Sequence, residues 1–565
     1  MRATGHSVSV TRGLVRDTRA GMVAALIILG ATGLFAQGVT KAHPYRRGVH
    51  VIDYDLALQL PVTGPVIQGT AILTVQRSAN VDTLILDLLD LKVSHSSVGG
   101  HEVPFVQTAD AVDIPLPPRR GARDDTLKVE IQYGGAVTDG LIVRTDSAGR
   151  WTGFGDDWPN RARHWIPSID HPSDKATVTW RVTAPPGRTV VANGDLVSTK
   201  PVQTPAGPMT LTTWRESRPI AAYMMVIAAA PLVRFDLGET ACGLAAMQRC
   251  VAQSVYTAPE QAKFMPGAFA HEDSILPFFA RLIAPFPFEK LSHLQSSTRF
   301  GGMENATAIF YADGPFRGRG TSESTIAHET AHQWFGDAVT EGDWSDLWLS
   351  EGFATYFASL WTQHEHGDSA FRAEMASTRR RVTSDRANVP TRPVIDTAQT
   401  NLNALLNANS YQKGAFVLHM LRTQLGDSAF FRGLRIYFKA HEYGNAFSDD
   451  LRAALEHSSG VPLKDFFDQW LRRPGFPELT ISWSYDQPRQ RLMLDVQQGV
   501  RFGAFRLPLR LAVVDSAGVS HLVQTDLPAQ PHTAVEIPLA LARAPISVIA
   551  DPLVESLATF SVIPK

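Results

Sequence analysis

The hydrophobic positions of this chain change period twice. From about Gly48 to Asp236 they recur every second residue, the period of a strand with one buried face. Leu127, Val129, Ile131 and Tyr133 alternate with Lys128, Glu130 and Gln132, and Val178, Trp180 and Val182 follow the same rule. Gly134-Gly135 and Asn193-Gly194 read as turns between strands. An antiparallel β domain is therefore predicted over 46–254. Past Tyr256 the spacing becomes helical. Ala270–Ile283 and Glu351–Trp361 read as helices, with Pro277 expected to kink or interrupt the first. Another helix starts near Tyr411, with Ala415, Leu418 and Leu421 at helical spacing and Gly426 as its C-terminal cap. Helical segments continue to Leu471, where Pro474-Gly475-Phe476-Pro477 ends them. Alternation then returns, with Phe505, Leu507, Leu509, Leu511 and Val513 facing one way and Arg506 and Arg510 the other. Asp515 to Gly518 supplies a turn, and 478–565 is long enough for a small β-sandwich. The predicted fold is multidomain α+β: an N-terminal antiparallel β domain, a mostly helical domain over 255–477, and a C-terminal β-sandwich.

Charge and composition narrow the function classes. Lys plus Arg (53) nearly cancels Asp plus Glu (55), which argues against a nucleic-acid surface. At the N-terminus, Arg2, Arg12, Arg16 and Arg19 precede an uncharged apolar run, Ala20 to Ala36. That layout predicts an export signal within 1–38 and a periplasmic or secreted protein. The alternative is an uncleaved anchor, because Leu34 spoils the small-x-small match at Ala36; only then would a membrane be a partner. The two cysteines, Cys242 and Cys250, are expected to bridge in an oxidising compartment, the alternative being two unrelated buried thiols.

The chemistry concentrates at His328-Glu329-Thr330-Ala331-His332. On a helix, residues i and i+4 share one face, so both imidazoles reach one ion. Glu329 projects nearby without being forced into coordination, as a general base toward metal-activated water must. Catalytic zinc usually takes three protein ligands. By spacing alone the third is open among Asp337, Glu341, Asp343, Asp346 and Glu351.

The stretch from His328 to Phe357, HETAHQWFGDAVTEGDWSDLWLSEGFATYF, resembles the core of the aminopeptidase N and leukotriene-hydrolase-like zinc metallopeptidases. Gly301-Gly302-Met303-Glu304-Asn305 is similar to their exopeptidase motif, Tyr411-Gln412-Lys413-Gly414-Ala415 to the segment of their catalytic tyrosine, and Gln469 to Pro477 to the end of their catalytic domain. The resemblance implies a thermolysin-like catalytic domain with one Zn2+ per chain on His328, His332 and Glu351. It implies Glu329 as general base, Tyr411 as a donor to the developing oxyanion, and Gly301, Gly302, Met303 and Glu304 as the substrate-binding segment. Glu304 would pair with the α-amino group, so the expected substrates are peptides with a free N-terminus. By position relative to the family, Asp156 or Asp157 is a further candidate for holding that amine. Asp337 and Ser350 stand where the family usually has Asn, and a fourth, helical domain has no counterpart in the resemblance.

Two competing readings keep the architecture: a binding module without chemistry, and an endopeptidase of the thermolysin kind. Retention of all ligands and Glu329 argues against the first, and Glu304 against the second. An epoxide hydrolase side activity has no distinct support. His364 and His366, at i and i+2, point apart on a helix, and Arg379-Arg380-Arg381 reads as a solvated basic face.

Overall fold

A computed structural model describes residues 44–78, 80–119, 125–240, 251–312, 316, 323–384 and 391–565. The candidate export segment and both cysteines lie outside the described residues. Among those residues, no helix is long and apolar enough to cross a membrane.

The fold is multidomain α+β, as the periodicity predicts. The N-terminal part is built on an eight-stranded sheet, antiparallel except where Val49–Gln59 runs parallel to Lys175–Ala184. Its inward positions include Val129, Ile131, Val178, Trp180 and Val182, all fully buried, and Trp165 stacks on Trp180 at 5.5 Å. Asn193-Gly194 does form a turn, with Gly194 at φ 76°. Gly134 and Gly135 do not. They lie inside the strand Asp125–Ala136, opposite Gln68 and Ile67. A Cβ on Gly134 would come within 2.9 Å of the Ile67 carbonyl oxygen, so close backbone approach explains that glycine.

The helical region is not purely helical. It is laid against a five-stranded sheet in the order 233–240, 251–257, 290–295, 308–311, 302–303. Lys290–Gln295 is its central parallel strand and is buried at every position, which removes the alternation that would announce it. Gly302–Met303 forms the outer edge. The helix Glu272–Leu282 runs through Pro277 without interruption, anchored by buried Ile275, Leu276 and Phe279. Gly426, at φ 75°, ends one helical stretch as expected, and a second begins directly after it.

Small β-sheets of four and three strands make the C-terminal sandwich, with Phe505, Leu507, Leu509, Leu511 and Val513 buried between them. One expectation fails here. Arg379 is not on a solvated face: its guanidinium pairs with buried Asp551 of the sandwich and lies over Phe560, while Arg380 and Arg381 are exposed. His364 stacks on Phe278 at 4.5 Å and His366 pairs with Glu323 at 3.3 Å, so neither joins a second metal site.

Polar contacts fix the N-terminal part on the helical one. The buried ammonium of Lys175 donates to the carbonyls of Asp337, Ala338 and Gly444 at 2.9, 3.0 and 3.1 Å. Asn193 Nδ2 donates to the Ala306 carbonyl, and the Gly194 amide to Thr307 Oγ1. These bonds seat the segment 156–174 deep against the other domain, where nearly every residue is buried.

Candidate metal centre and peptide cleft

The helix Glu323–His332 buries its last seven residues, Ile326 to His332, and so carries His328 and His332 in a water-poor setting. The next long helix, Trp348–Thr383, is buried on every side over its first turns, the pattern of a core helix. Its first turn brings Glu351 against the two histidines. The contact is close because glycine meets glycine: a Cβ on Gly352 would lie 3.0 Å from Gly414, at the start of the helix that follows Tyr411.

Three ligand atoms converge. His328 Nε2 and His332 Nε2 are 3.1 Å apart, and Glu351 Oε2 lies 3.3 and 3.4 Å from them. Atoms held about 2.0–2.2 Å from a tetrahedral ion lie about 3.3–3.6 Å from one another, so this triangle has the size a zinc ion requires. Glu351 Oε2 is buried with no hydrogen-bond partner. Two imidazole nitrogens and an unsatisfied carboxylate oxygen aimed at one point fit a divalent cation. Of the five candidate acids only Glu351 reaches the pair: Asp337 bonds Gln333, Asp346 bonds the Ser448 amide, and Asp343 caps Ser345.

The surroundings orient these ligands. His332 Nδ1 lies 3.1 Å from the Phe335 carbonyl oxygen and 3.0 Å from Ser350 Oγ, which leaves Nε2 facing the site. The serine at 350 therefore makes a ligand-orienting contact itself. Asp337 is accommodated in the same way: its carboxyl accepts from Gln333 Nε2 at 2.7 Å, as an amide oxygen would. Gln333 also donates to the Glu304 carbonyl at 3.0 Å and accepts from the Thr307 amide at 2.9 Å. It ties the histidine helix to the strand segment carrying Glu304.

One cleft of about 430 Å3 is lined by Gly301, Gly302, Met303, Glu304, His328, Glu329, His332, Glu351 and Tyr411, together with Trp158, Phe300 and Leu406. The first nine of these are all residues singled out from the sequence and the last three are additions, while Asp156 and Asp157 are not among the lining. Glu304, Glu329 and His332 place polar atoms within 4.8 Å of one another. Tyr411 OH donates to Glu351 Oε1 at 2.6 Å, and its ring stacks over His328. No signal in the sequence marks Leu406. Trp158 follows the two aspartates that drew attention, yet it is the tryptophan that enters the cleft. Asp156 is held by Arg161 and Arg299 at 2.9 and 3.3 Å and accepts from Thr298 Oγ1, while burial keeps the Asp157 carboxyl well above the usual range. Neither borders the cleft.

The site carries excess negative charge. Glu304, Glu329 and Glu351 are formally −3, and no Lys or Arg is among the residues lining the cleft. Burial pushes the Glu329 and Glu304 carboxyls up, with His332 opposing and Glu351 adding to the rise. Burial would also raise Glu351, but the His328 and His332 rings beside it outweigh that and bring it down to about 2. Burial alone would lower His332; the three carboxylates around it hold it well above the usual range instead. Such a cluster is calling for positive charge.

Comparison with known proteins agrees with this geometry. Residues 50–224 match the peptidase M1 N-terminal domain and residues 268–470 the peptidase family M1 domain. Human glutamyl aminopeptidase is 28% identical over 354 residues, 60% of this chain and 36% of that protein. Rice aminopeptidase M1-B is 27% identical over 472 residues, 75% of this chain and 50% of its own. The chain thus spans between about a third and a half of the length of these relatives. Among solved structures, the M1 zinc metallopeptidase of Deinococcus radiodurans superposes with a TM-score of 0.64 at 29% identity, covering 75% of this chain and 93% of that one. Aminopeptidase A of Legionella pneumophila gives a TM-score of 0.78 at 19% identity over 91% of this chain and 60% of that one, a likeness of fold. With both domains matched in order and the histidine pair, Glu351 and Glu304 meeting in one cleft, the chain belongs to the peptidase M1 family.

Proposed function

We propose that this protein is a zinc-dependent aminopeptidase that removes single residues from the free N-terminus of peptides. The observation that carries the reading is the charge of the cleft. Three carboxylates converge there with no lysine or arginine in the lining, and a divalent ion plus the ammonium of a peptide N-terminus would balance them. His328, His332 and Glu351 are the residues that would hold the zinc. Bound there, zinc supplies Lewis acidity toward water and toward the scissile carbonyl.

The chain's own groups do the rest. Glu304 accepts the substrate ammonium and so fixes where the peptide begins, one residue from the bond to be cut. Glu329, whose carboxylate burial makes the stronger base, takes the proton of the attacking water and passes it to the departing amide nitrogen. The new C–O bond forms as the carbonyl π pair moves onto its oxygen; the carbonyl then reforms as the C–N bond breaks and the nitrogen takes the proton, releasing an amino acid and a shortened peptide. Tyr411 donates its hydroxyl to the negative charge developing on the carbonyl oxygen; one such donor is worth roughly 3–4 kcal/mol of barrier. The edge strand Gly302–Met303 has no strand on its outer side among the described residues, which suits pairing with an extended substrate. An M1 zinc metallopeptidase structure from Deinococcus radiodurans is bound to a Tyr-Ser-Ala substrate, and a two-domain M1 zinc metallopeptidase structure to L-tryptophan, which supports peptide binding in this cleft.

The test is a panel of aminoacyl-amide reporters with and without chelator, beside Glu329→Gln. Hydrolysis is expected to vanish with chelator and to fall by several orders of magnitude in the variant; activity surviving the substitution refutes the mechanism. N-acetylated peptides separate this from the endopeptidase reading: that reading requires that they be cut, and they are expected to stay intact.

A further inference from the structure

Apart from the charged machinery, the wall of the cleft is apolar. Trp158, Phe300, Met303 and Leu406 line it beside Glu304, contributed by three separate stretches of chain. Trp158 is 2% exposed and packed against Trp344 at 5.6 Å, while the Phe300 ring meets it edge-on at 5.9 Å and 89°. That arrangement is a rigid aromatic corner, formed before any ligand arrives. Met303, at 3% exposure, adds a polarisable surface of adjustable shape.

The nearby cations are committed elsewhere. Arg161 pairs with Asp139 at 2.6 Å and Asp156 at 2.9 Å. Arg299 pairs with the same two acids at 3.1 and 3.3 Å. Two guanidinium groups and two carboxylates cancel, so this cluster offers no net positive charge to a substrate carboxylate.

We infer that the first side chain of the substrate packs against Trp158, Phe300 and Leu406, and that the enzyme selects large apolar, above all aromatic, N-terminal residues and rejects acidic ones. The inference rests on the aminopeptidase reading and deepens it. An aromatic side chain transfers its whole face from water to this corner. An acidic one would be buried beside Glu304, Glu329 and Glu351 with no partner, which is costly on both desolvation and like charge.

The test compares kcat/KM for phenylalanyl, leucyl, alanyl and glutamyl amide reporters on the full chain. Phenylalanyl and leucyl reporters are expected to exceed alanyl by about 30-fold or more, within the range that apolar pockets achieve, and glutamyl to fall below alanyl. Leu406→Ala is expected to narrow the phenylalanyl-to-alanyl ratio at least about fivefold, and Trp158→Ala to do the same if it folds. Product inhibition reads the pocket without turnover: L-phenylalanine is expected to inhibit alanyl hydrolysis well below the concentration at which L-glutamate does. Glutamyl hydrolysis matching phenylalanyl, or a ratio unmoved by Leu406→Ala, overturns the inference and leaves the aminopeptidase reading standing. Chelator-sensitive hydrolysis of none of the reporters refutes that reading, and this inference with it.

Discussion

Glu304 gives the sharpest test of how one residue is measured from a peptide terminus. The substitution is Glu304→Gln, which keeps shape and hydrogen-bonding atoms and removes one charge. Glu304 is 6% exposed, so its attraction for a substrate ammonium is little screened by water. At a separation near 4 Å and an effective dielectric constant of about 20, that attraction is worth about 4 kcal/mol, or roughly a thousandfold in kcat/KM. The decisive assay is a cycle rather than a single rate. Leucyl-amide and its des-amino analogue are hydrolysed by wild type and variant, and the ratio of the two substrates is compared. Wild type is expected to prefer the amine by roughly a thousandfold, and the variant by less than about tenfold. Zinc content should be unchanged, because the three ligand atoms do not include Glu304. A variant that is slow on both substrates yet keeps the full preference for the amine refutes the reasoning, since the carboxylate would then not be the group that reads it.

Three other outcomes follow from the same geometry. Gly352→Val places carbon against the backbone of Gly414, where even a Cβ sits at 3.0 Å; it should cost about 1–3 kcal/mol by urea unfolding and, by moving Tyr411 from Glu351, lower kcat more than it raises KM. Ser350→Ala removes one of two contacts on His332 Nδ1, and with the Phe335 carbonyl remaining, zinc affinity should fall about tenfold in chelator competition, the lower end for such groups. His419 bonds the Val554 carbonyl of the C-terminal sandwich at 3.1 Å, and burial pulls its pKa from 6.5 down to about 4. The unfolded chain therefore binds the extra proton between those values, so this stability is full above about pH 6.5 and is lost as the pH falls toward 4; at pH 5 the loss is about 2 kcal/mol, measured as the part of the decline absent from His419→Leu.

How much of this was legible in the sequence depends on where water lies. Strands with one wet face, such as Asp125–Ala136, announce themselves by alternation, and the histidine pair by its spacing of four. Lys290–Gln295 is dry on both faces and has no period to read, so the five-stranded sheet stayed hidden within a region that looked helical. Charged residues misled for the converse reason. Arg379 in a run of three arginines looks solvated until the Asp551 carboxylate that receives it is placed, 172 residues away. The two aspartates at 156 and 157 stood out as charges, whereas the fold uses the first as an internal counter-ion and the second as a buried acceptor for the Trp165 indole, and sends Trp158 forward. Spacing also left the third metal ligand open among five acids. Only the packing of Gly352 on Gly414 shows why the most distant of them is the one that arrives.

Trp158 belongs to the segment that descends from the N-terminal sheets, while the histidines, Glu329 and Glu351 belong to the helices beyond it. The machinery that breaks the bond and part of the surface that chooses among substrates are thus held on different pieces of chain, joined by contacts such as the Lys175 cap. Preference can then drift, or be transplanted by exchanging the first two hundred or so residues between relatives, while the hydrolytic apparatus is left alone. A helical portion expressed without its β partner would keep its ligands and lose a wall of its own binding site.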